Sequence, residues 1–283
     1  MRVLILGATG ILGRTLFHFL LNKKKIDLKC ISRSKKDKSH IYLSNFLNLK
    51  KLKKSILNIK PTHIVNCLGV TKFNKNYKSK KKTIFLNTKL PIYLSKLCQL
   101  NKIKMIHIST DCVFSGIKGN YKETSKKDAS DLYGITKSNG EVKNKYVTTI
   151  RTSFIGPEKN SRKSLLNWFL FQKGEINGFS RAFFSGLTSL ELCKIIFLFF
   201  LKQNLFYNKI LNVGGHKISK YLLLKKISKI FNNKVIINKS NIFQIDRSLN
   251  SEKFSNLTNY KKKTWDKMLK ELKFFMISNK YKY

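Results

Sequence analysis

The sequence predicts an α/β fold: a doubly wound parallel sheet covered by helices on both faces, with a smaller C-terminal mixed α/β lobe. Apolar runs of strand length alternate with helix-length stretches as far as Thr152, the pattern of successive βαβ units. The first run, Val3–Leu6, is apolar without a break, as a strand buried on both faces requires. A glycine-spaced turn follows it at once and opens a helix.

Taken in order, Arg2–Leu6 reads as the first strand and Leu12–Leu21 as the helix it feeds. Asp27–Ser32 is the second strand, and Leu49–Leu57 has helical spacing. His63–Cys67 is the third strand, Thr83–Leu100 one long helix, and Ile103–Ser109 the fourth strand. Tyr133–Lys143 reads as helix and Val147–Thr152 as the fifth strand. Beyond it the alternation fails. Ser161–Gln172, Thr188–Lys202, Tyr221–Phe231 and Thr264–Phe275 have helical spacing, and Ile210–Val213 reads as a strand. The expected division is a cofactor-binding domain over 1–153 and a substrate-binding lobe over 154–283, with segments near 187–217 returning to the first domain.

The chain has 283 residues and an apolar fraction of 42%, enough for one substantial core with a lobe built on it. Its charge is lopsided: Lys+Arg 58 against Asp+Glu 14, a formal net charge of +44. Nucleic-acid or anionic-membrane binding would explain that imbalance. Compositional drift of an AT-rich genome explains more. Ala8, Ala129 and Ala182 are the only alanines, a scarcity with no bearing on DNA binding. The lysines are spread along the chain, and no stacking or groove-reading motif accompanies them. The reading is therefore of no nucleic-acid partner. The strongest apolar run, Ile195–Leu201, falls far short of the roughly 20 residues that span a bilayer, so no membrane insertion is expected. Cys30, Cys67, Cys98, Cys112 and Cys193 include no C-x-x-C pair. This suits a reduced, cytoplasmic chain with no disulfide framework and no metal site.

The first turn reads Gly7-Ala8-Thr9-Gly10-Ile11-Leu12-Gly13. Between a strand and a helix this spacing is a Rossmann-type dinucleotide turn. Its glycines let the backbone approach a pyrophosphate, and the helix N-terminus offers free N–H groups to it. The second strand ends at Ser32-Arg33, where sites selective for the unphosphorylated cofactor place an acid. Ser32 and Arg33 suit a 2′-phosphate instead, so NADP(H) is the expected cofactor. Asn45 is a candidate for the adenine edge.

The segment Ser109-Thr110-Asp111-Cys112-Val113-Phe114-Ser115-Gly116 precedes Tyr121-Lys122-Glu123 and then Tyr133-Gly134-Ile135-Thr136-Lys137-Ser138-Asn139-Gly140-Glu141. Tyr133 and Lys137 are four apart on an expected helix and share a face. An ammonium beside a phenol favours the phenolate and draws its pKa down from about 10. Tyr133 is thus the candidate acid for a carbonyl oxygen, with Lys137 its partner and a ligand for the nicotinamide ribose. Thr110, at a strand end, can hydrogen-bond the same oxygen.

This arrangement resembles the S-T-D-Y-V-F-x-G … Y-x-E … Y-G-x-[ST]-K-x-x-G-E pattern of dTDP-4-dehydrorhamnose reductases, which are extended short-chain dehydrogenases/reductases. Asn66-Cys67-Leu68-Gly69, Leu86-Asn87-Thr88 and Arg151-Thr152-Ser153 resemble further family segments. Ser185-Gly186-Leu187-Thr188, Ile218-Ser219-Lys220-Tyr221 and Asp246-Arg247-Ser248-Leu249 look like a branch of surface-polysaccharide sugar reductases. The resemblance implies NADPH-dependent reduction of a 4-keto group on a dTDP- or UDP-linked deoxy-sugar, in dTDP-rhamnose or lipopolysaccharide (O-antigen) biosynthesis. It implies catalytic roles for Thr110, Tyr133 and Lys137. Cofactor contacts would come from Gly7, Thr9, Gly10, Ile11, Leu12, Gly13, Ser32, Arg33, Asn45, Cys67, Leu68, Gly69, Asn87, Ser109, Tyr133 and Lys137. Substrate contacts would come from Thr110, Asp111, Cys112, Ser153, Phe154 and Arg247, the last suited to a diphosphate. A homodimer is compatible with this reading. Cys112 stands where the rhamnose enzymes usually carry an aromatic residue, which opens the question of the sugar.

Three alternatives share the fold. A 4,6-dehydratase needs an acid after Asp111, where this chain has Cys112. An epimerase that keeps NAD bound prefers an acidic residue near Arg33. A regulatory subunit would bind cofactor without turnover, and the intact Thr110, Tyr133 and Lys137 weigh against it.

Overall fold

The computed structural model describes residues 1–32, 40–42 (as backbone), 46–72, 77, 79–159, 162–206 and 208–281. It divides into two compact units. The first comprises Met1–Ser109, Ala129–Ile150 and Ile196–Ile210, and the second Thr110–Asp128, Arg151–Ile195 and Leu211–Tyr283.

The seven-stranded sheet comprises β1 (Arg2–Leu6), β2 (Asp27–Ser32), β3 (His40–Tyr42), β4 (His63–Asn66), β5 (Lys104–Thr110), β6 (Val147–Thr152) and β10 (Ile210–Asn212), in the order β10-β6-β5-β4-β1-β2-β3. The pairings β2–β3, β1–β2, β1–β4 and β4–β5 are all parallel. Parallel neighbours need crossovers, and α1 (Ile11–Leu21), α2 (Leu49–Ile59) and α4 (Leu90–Leu100) supply them. The apolar sides of these helices close the core: Leu52, Ile56, Leu94 and Cys98 pack with Leu4, Ile64 and Met105, all fully buried. The strand bounds of β1, β2 and β6 coincide with the sequence reading. The short edge strand β3 was not expected.

Two expected helices of the first unit differ in the structure. Thr83–Leu100 is not one helix. A short α3 (Lys80–Ile84) runs into a π-helical turn, Phe85–Lys89, and only then into α4. Pro91 has no N–H to give the carbonyl of Asn87 four residues earlier, and the wider turn accommodates that. Tyr133–Lys143 shortens to α5 (Leu132–Asn139). The backbone of Gly140 abuts the Asn87 carbonyl so closely that a Cβ there would overlap it.

The second unit contains what periodicity failed to reveal. Its three-stranded sheet, in the order β11-β8-β12, uses β8 (Glu175–Phe184), β11 (Ile218–Ser219) and β12 (Ile236–Asp246). Both long strands escaped the sequence reading, because Asn, Lys, Ser and Gly interrupt their apolar residues. Pairing with each other makes them strands: Ile236 sits opposite Glu175 and Asp246 opposite Phe183, in parallel, with a register shift between Ser240 and Gln244. The expected helix Ser161–Gln172 contracts to α6 (Leu165–Leu170), started by a Ser164 cap on the Asn167 N–H. Thr188–Lys202 becomes α7 (Ser189–Ile195) and a π-helical segment, Ile196–Lys202. The strand pair β7 (Phe154–Ile155) and β9 (Leu187–Thr188), with α8 (Lys220–Phe231), α9 (Glu252–Thr258) and α10 (Trp265–Ser278), completes the unit. Against the expected boundary at 153, residues 110–128 belong to this unit, and 196–210 are what returns to the first. Among the described residues no helix is long and apolar enough to cross a membrane.

Candidate active site

The glycine turn lies at the carboxyl end of β1, on the edge of the sheet where open α/β folds take ligands. Gly7 has φ +87, a backbone state glycine adopts freely. Its N–H reaches the Ile31 carbonyl (3.4 Å), and its own carbonyl accepts from Gly10 (3.1 Å). A Cβ on Gly13 would overlap that Gly7 carbonyl, whereas one on Gly10 would sit at an ordinary 3.6 Å from it. Gly13 is therefore required by the protein's own packing. Gly10 is not, and it stands exposed at the N-terminus of α1, where no side chain caps the helix. Thr9 is exposed beside it, Ile11 is half-buried and Leu12 is buried. This leaves the free N–H groups of α1 behind a backbone with no Cβ in the way, a cradle suited to a phosphate.

Neighbouring strand ends complete this edge. Leu68 and the Cys67 backbone lie against Gly7, each just over 3 Å from where its Cβ would be. Ser32 is buried at the end of β2. Arg33 and Asn45 lie outside the described residues. Gly69 faces the Asn87 amide and the Lys137 ammonium. Asn87 is fully buried, and its amide is used within the protein. It accepts from the Val70 N–H (2.8 Å) and donates to the Val70 carbonyl (3.0 Å) and the Thr136 hydroxyl (3.1 Å). It thereby ties the loop after β4 to α5.

α5 carries Tyr133 half-buried and Lys137 buried, one turn apart. Asp131 starts the helix by accepting from the Gly134 N–H (3.0 Å). The Lys137 ammonium donates to the Ile108 carbonyl at 2.6 Å, which fixes it to β5. Burial lowers its pKa to about 8, while Glu141 and Cys67 pull the other way. Burial likewise pushes the Cys67 thiol up to about 12, against the opposing charge of Lys137. His107, fully buried, lies beside the Asn66 amide (3.1 Å), and burial together with Lys137 holds it well below the ordinary histidine range. Ser109 donates to Glu141 (2.8 Å). His107 and Glu141 were missed by the sequence reading. Glu141 had a signal, since it follows Lys137 at the same spacing at which Lys137 follows Tyr133.

In the second unit, Thr110 ends β5 and turns into Asp111. Its hydroxyl donates to Asp111 Oδ1 (3.0 Å) and accepts from the Cys112 N–H (3.1 Å). Asp111 is buried, and burial raises its pKa against the opposing influences of Lys220, Thr110 and Arg247. Arg247 donates to the Phe114 carbonyl (3.0 Å) and lies 3.6 Å from Cys112 Sγ. The segment carrying Phe114 is strapped to the end of β12. Tyr121 stacks on Phe114 at 4.2 Å, and its hydroxyl accepts from Gly116 and Lys118 (both 3.1 Å). Thr110, Asp111, Cys112 and Arg247 are thus one cluster. Ser153 and Phe154 are tied instead to β9, through Leu187 (2.9 Å from the Ser153 carbonyl).

Comparison with known proteins identifies a family and several relatives. Residues 1–172 match the family model for the RmlD substrate binding domain. A dTDP-4-keto-6-deoxy-D-glucose reductase of Streptomyces niveus is 30% identical over 143 residues, 50% of this chain and 46% of that protein. A dTDP-4-dehydrorhamnose reductase of Aggregatibacter actinomycetemcomitans is 30% identical over 142 residues, 50% and 45% of the two chains. Methionine adenosyltransferase 2 subunit beta of Xenopus tropicalis is also 30% identical, over 141 residues, 50% and 41% of the two chains. The chain therefore spans about half the length of the curated relatives it matches. Among solved structures, a hypothetical dTDP-4-dehydrorhamnose reductase from Sulfolobus tokodaii superposes with a TM-score of 0.80 at 25% identity, covering 94% of this chain and 98% of the other. A dTDP-4-dehydrorhamnose reductase from Bacillus anthracis, in complex with NADP, gives 0.80 at 22%, covering 96% and 98%. The chain belongs to the RmlD substrate binding domain family and has its Rossmann-type fold.

Proposed function

We propose, from that membership, that the chain is an NADP(H)-dependent oxidoreductase which reduces the 4-keto group of a nucleotide-activated deoxy-sugar. The observation that carries this is Lys137: a buried ammonium anchored on β5, one helical turn from Tyr133 and facing Gly69 within the unit that holds the glycine cradle. When bound, the dinucleotide supplies the hydride. Gly7, Gly10 and the N-terminus of α1 hold its pyrophosphate, Ser32 and Arg33 its 2′-phosphate, and Leu68 and Gly69 line its path. Asn87 acts through the loop it holds. Tyr133 gives its phenolic proton to the carbonyl oxygen as negative charge develops there. Lys137 stabilises the phenolate left behind and bonds the cofactor ribose, and Thr110 orients the carbonyl. Arg247 is assigned to the diphosphate, and Asp111, Cys112, Ser153 and Phe154 to the sugar. The product would serve surface-polysaccharide assembly from the cytoplasm.

Single-turnover oxidation of NADPH with a dTDP-linked 4-keto-6-deoxyhexose tests this. Oxidation that requires the sugar is expected. A second reading has its own support in the resemblance to methionine adenosyltransferase 2 subunit beta. If the protein binds NADPH tightly and oxidises it with no dTDP- or UDP-4-keto sugar, a cofactor-bound regulatory subunit takes the place of the reductase.

A further inference from the structure

Leu6, Asn66 and His107 stand abreast on the neighbouring strands β1, β4 and β5, each paired with the next. They form the rung of the sheet just before the glycine turn, since Gly7 follows Leu6 directly. Asn66 and His107 are fully buried. The Asn66 amide oxygen accepts from the Leu68 N–H (3.2 Å), and its amide nitrogen lies 3.1 Å from His107 Nδ1. That Leu68 peptide backs Gly7. Its nitrogen would be 3.2 Å from a Cβ on Gly7, and the Cys67 N–H beside it donates to the Leu6 carbonyl (3.0 Å). A line of contacts thus runs from His107 through Asn66 and Leu68 to the first glycine of the cradle.

An amide nitrogen only donates, so His107 Nδ1 must accept, and the ring proton sits on Nε2. That Nε2 has no hydrogen-bond partner among the described residues. A buried donor without a partner is costly, and an apolar side chain at 107 would avoid the cost. What the histidine contributes is an orientation. A ring protonated on both nitrogens would turn an N–H against the Asn66 amide nitrogen. The amide would then flip, and its oxygen would leave the Leu68 N–H for the ring. Burial and the charge of Lys137 both oppose that protonation.

We propose that His107 is a positioning residue for the dinucleotide. By accepting at Nδ1 it fixes which way the Asn66 amide faces, and Asn66 in turn holds the Leu68 peptide against Gly7, where the pyrophosphate is assigned. The inference rests on the cofactor part of the reductase reading and deepens it, because it names a residue that acts on the cradle from two strands away. Lys137 keeps its own anchor on the Ile108 carbonyl. The effect of His107 therefore falls on cofactor affinity and on the KM for NADPH, and leaves kcat nearly unchanged.

The test is NADPH affinity, titrated without any sugar. His107→Leu removes the acceptor and keeps the position apolar. Its melting temperature should hold, because one unpaired buried donor, the ring N–H, is exchanged for another, the Asn66 amide. NADPH binding should weaken about 3–10-fold, the range of one hydrogen bond. His107→Gln, whose amide oxygen can accept from Asn66, should recover most of that loss. In an Asn66→Ala background, His107→Leu should cost nothing further. Unchanged affinity in His107→Leu would overturn the inference. Equal losses in the Leu and Gln variants, or a further loss in the Asn66→Ala background, would place the ring in the core alone and overturn it too. Should His107→Leu fail to fold, wild type still decides. Ring-nitrogen NMR shifts between about pH 5 and pH 8 should show His107 protonated on Nε2 and not titrating, and a ring that is protonated on Nδ1 or titrates refutes the inference. A wild type that binds no dinucleotide removes the cofactor reading and this inference together. One that binds NADPH but reduces no sugar fails the reductase reading alone and leaves the test intact.

Discussion

Lys137 in the first unit is buried and Lys220 in the second is half-buried, and they are held in opposite ways. Lys137 is tied by a 2.6 Å hydrogen bond to the Ile108 carbonyl, with Glu141 close enough to support its charge. Lys220 rests on an aromatic face and has no hydrogen-bond acceptor among the described residues. The first arrangement is complete before any ligand arrives, as suits a group whose position must not vary during proton transfer. The second rests on a ring face and keeps part of its surface open. The first unit thus holds its buried lysine by a hydrogen bond, and the second holds its half-buried one against a ring.

The largest expected effect breaks the fixed side of this comparison. Tyr133→Phe removes one hydroxyl and little volume, so NADPH binding should survive while turnover falls by about 10²–10⁴-fold, the usual contribution of general acid catalysis. Single-turnover kinetics beside a cofactor titration separate the two, and a variant as fast as wild type refutes the mechanism.

Lys137→Met comes next. It should slow turnover and weaken NADPH as well. It should also change how stability depends on pH. Folding lowers the Lys137 pKa from 10.5 to about 8, so between those values the unfolded chain binds more protons than the folded one. Wild-type stability should therefore gain with rising pH across that window, by up to roughly 3 kcal/mol relative to Lys137→Met. Denaturant melts at pH 8 and pH 10 test the sign. The same gap between the two proteins at both pH values would mean that the lysine is not desolvated as described.

Glycine substitutions sharpen the comparison at the level of the backbone. Gly13→Ala would push a methyl group into the Gly7 carbonyl, so both stability (about 1–3 kcal/mol) and NADPH binding should suffer. Gly10→Ala meets nothing closer than 3.6 Å in the protein, so its melting temperature should hold, and any loss of NADPH affinity then reports the ligand's own approach. Gly119→Ala would drive a methyl group into the Asp246 carboxylate at φ +70, straining the strap that carries Arg247. NADPH binding should be spared and sugar affinity reduced. If NADPH binding falls with it, the two units are not the separable functional parts described above. The smallest effect is expected of Arg33→Ala, which should cut the preference for NADPH over NADH by about tenfold, the scale of one charge-assisted contact. An unchanged preference in paired titrations would remove Arg33 from the site.

The parts legible in the sequence were those decided by neighbours along the chain. β1, the glycine turn and α1 follow from an unbroken apolar run, a residue without Cβ and a period of 3.6 within twenty residues. The Tyr133–Lys137 pair follows from helix geometry alone, and the strap from Phe114 to Tyr121 kept its motif because its contacts are local. Tertiary structure decided what depends on residues far apart in sequence. β8 and β12 carry weak strand signals, and each becomes a strand because the other, some sixty residues away, completes its hydrogen bonds. The π-helical turn at Phe85–Lys89 belongs to a helix that sequence reads as continuous, and its consequence, an Asn87 amide bonded to Val70 and Thr136, exists only in the fold. Lys220 shows the limit most clearly. In a chain with 58 cations, no local pattern distinguishes one lysine from another. Its place, half-buried over the Phe184 ring, comes from the pairing of β11 with β8, because burial, unlike periodicity, is a property of the packed molecule and not of the chain.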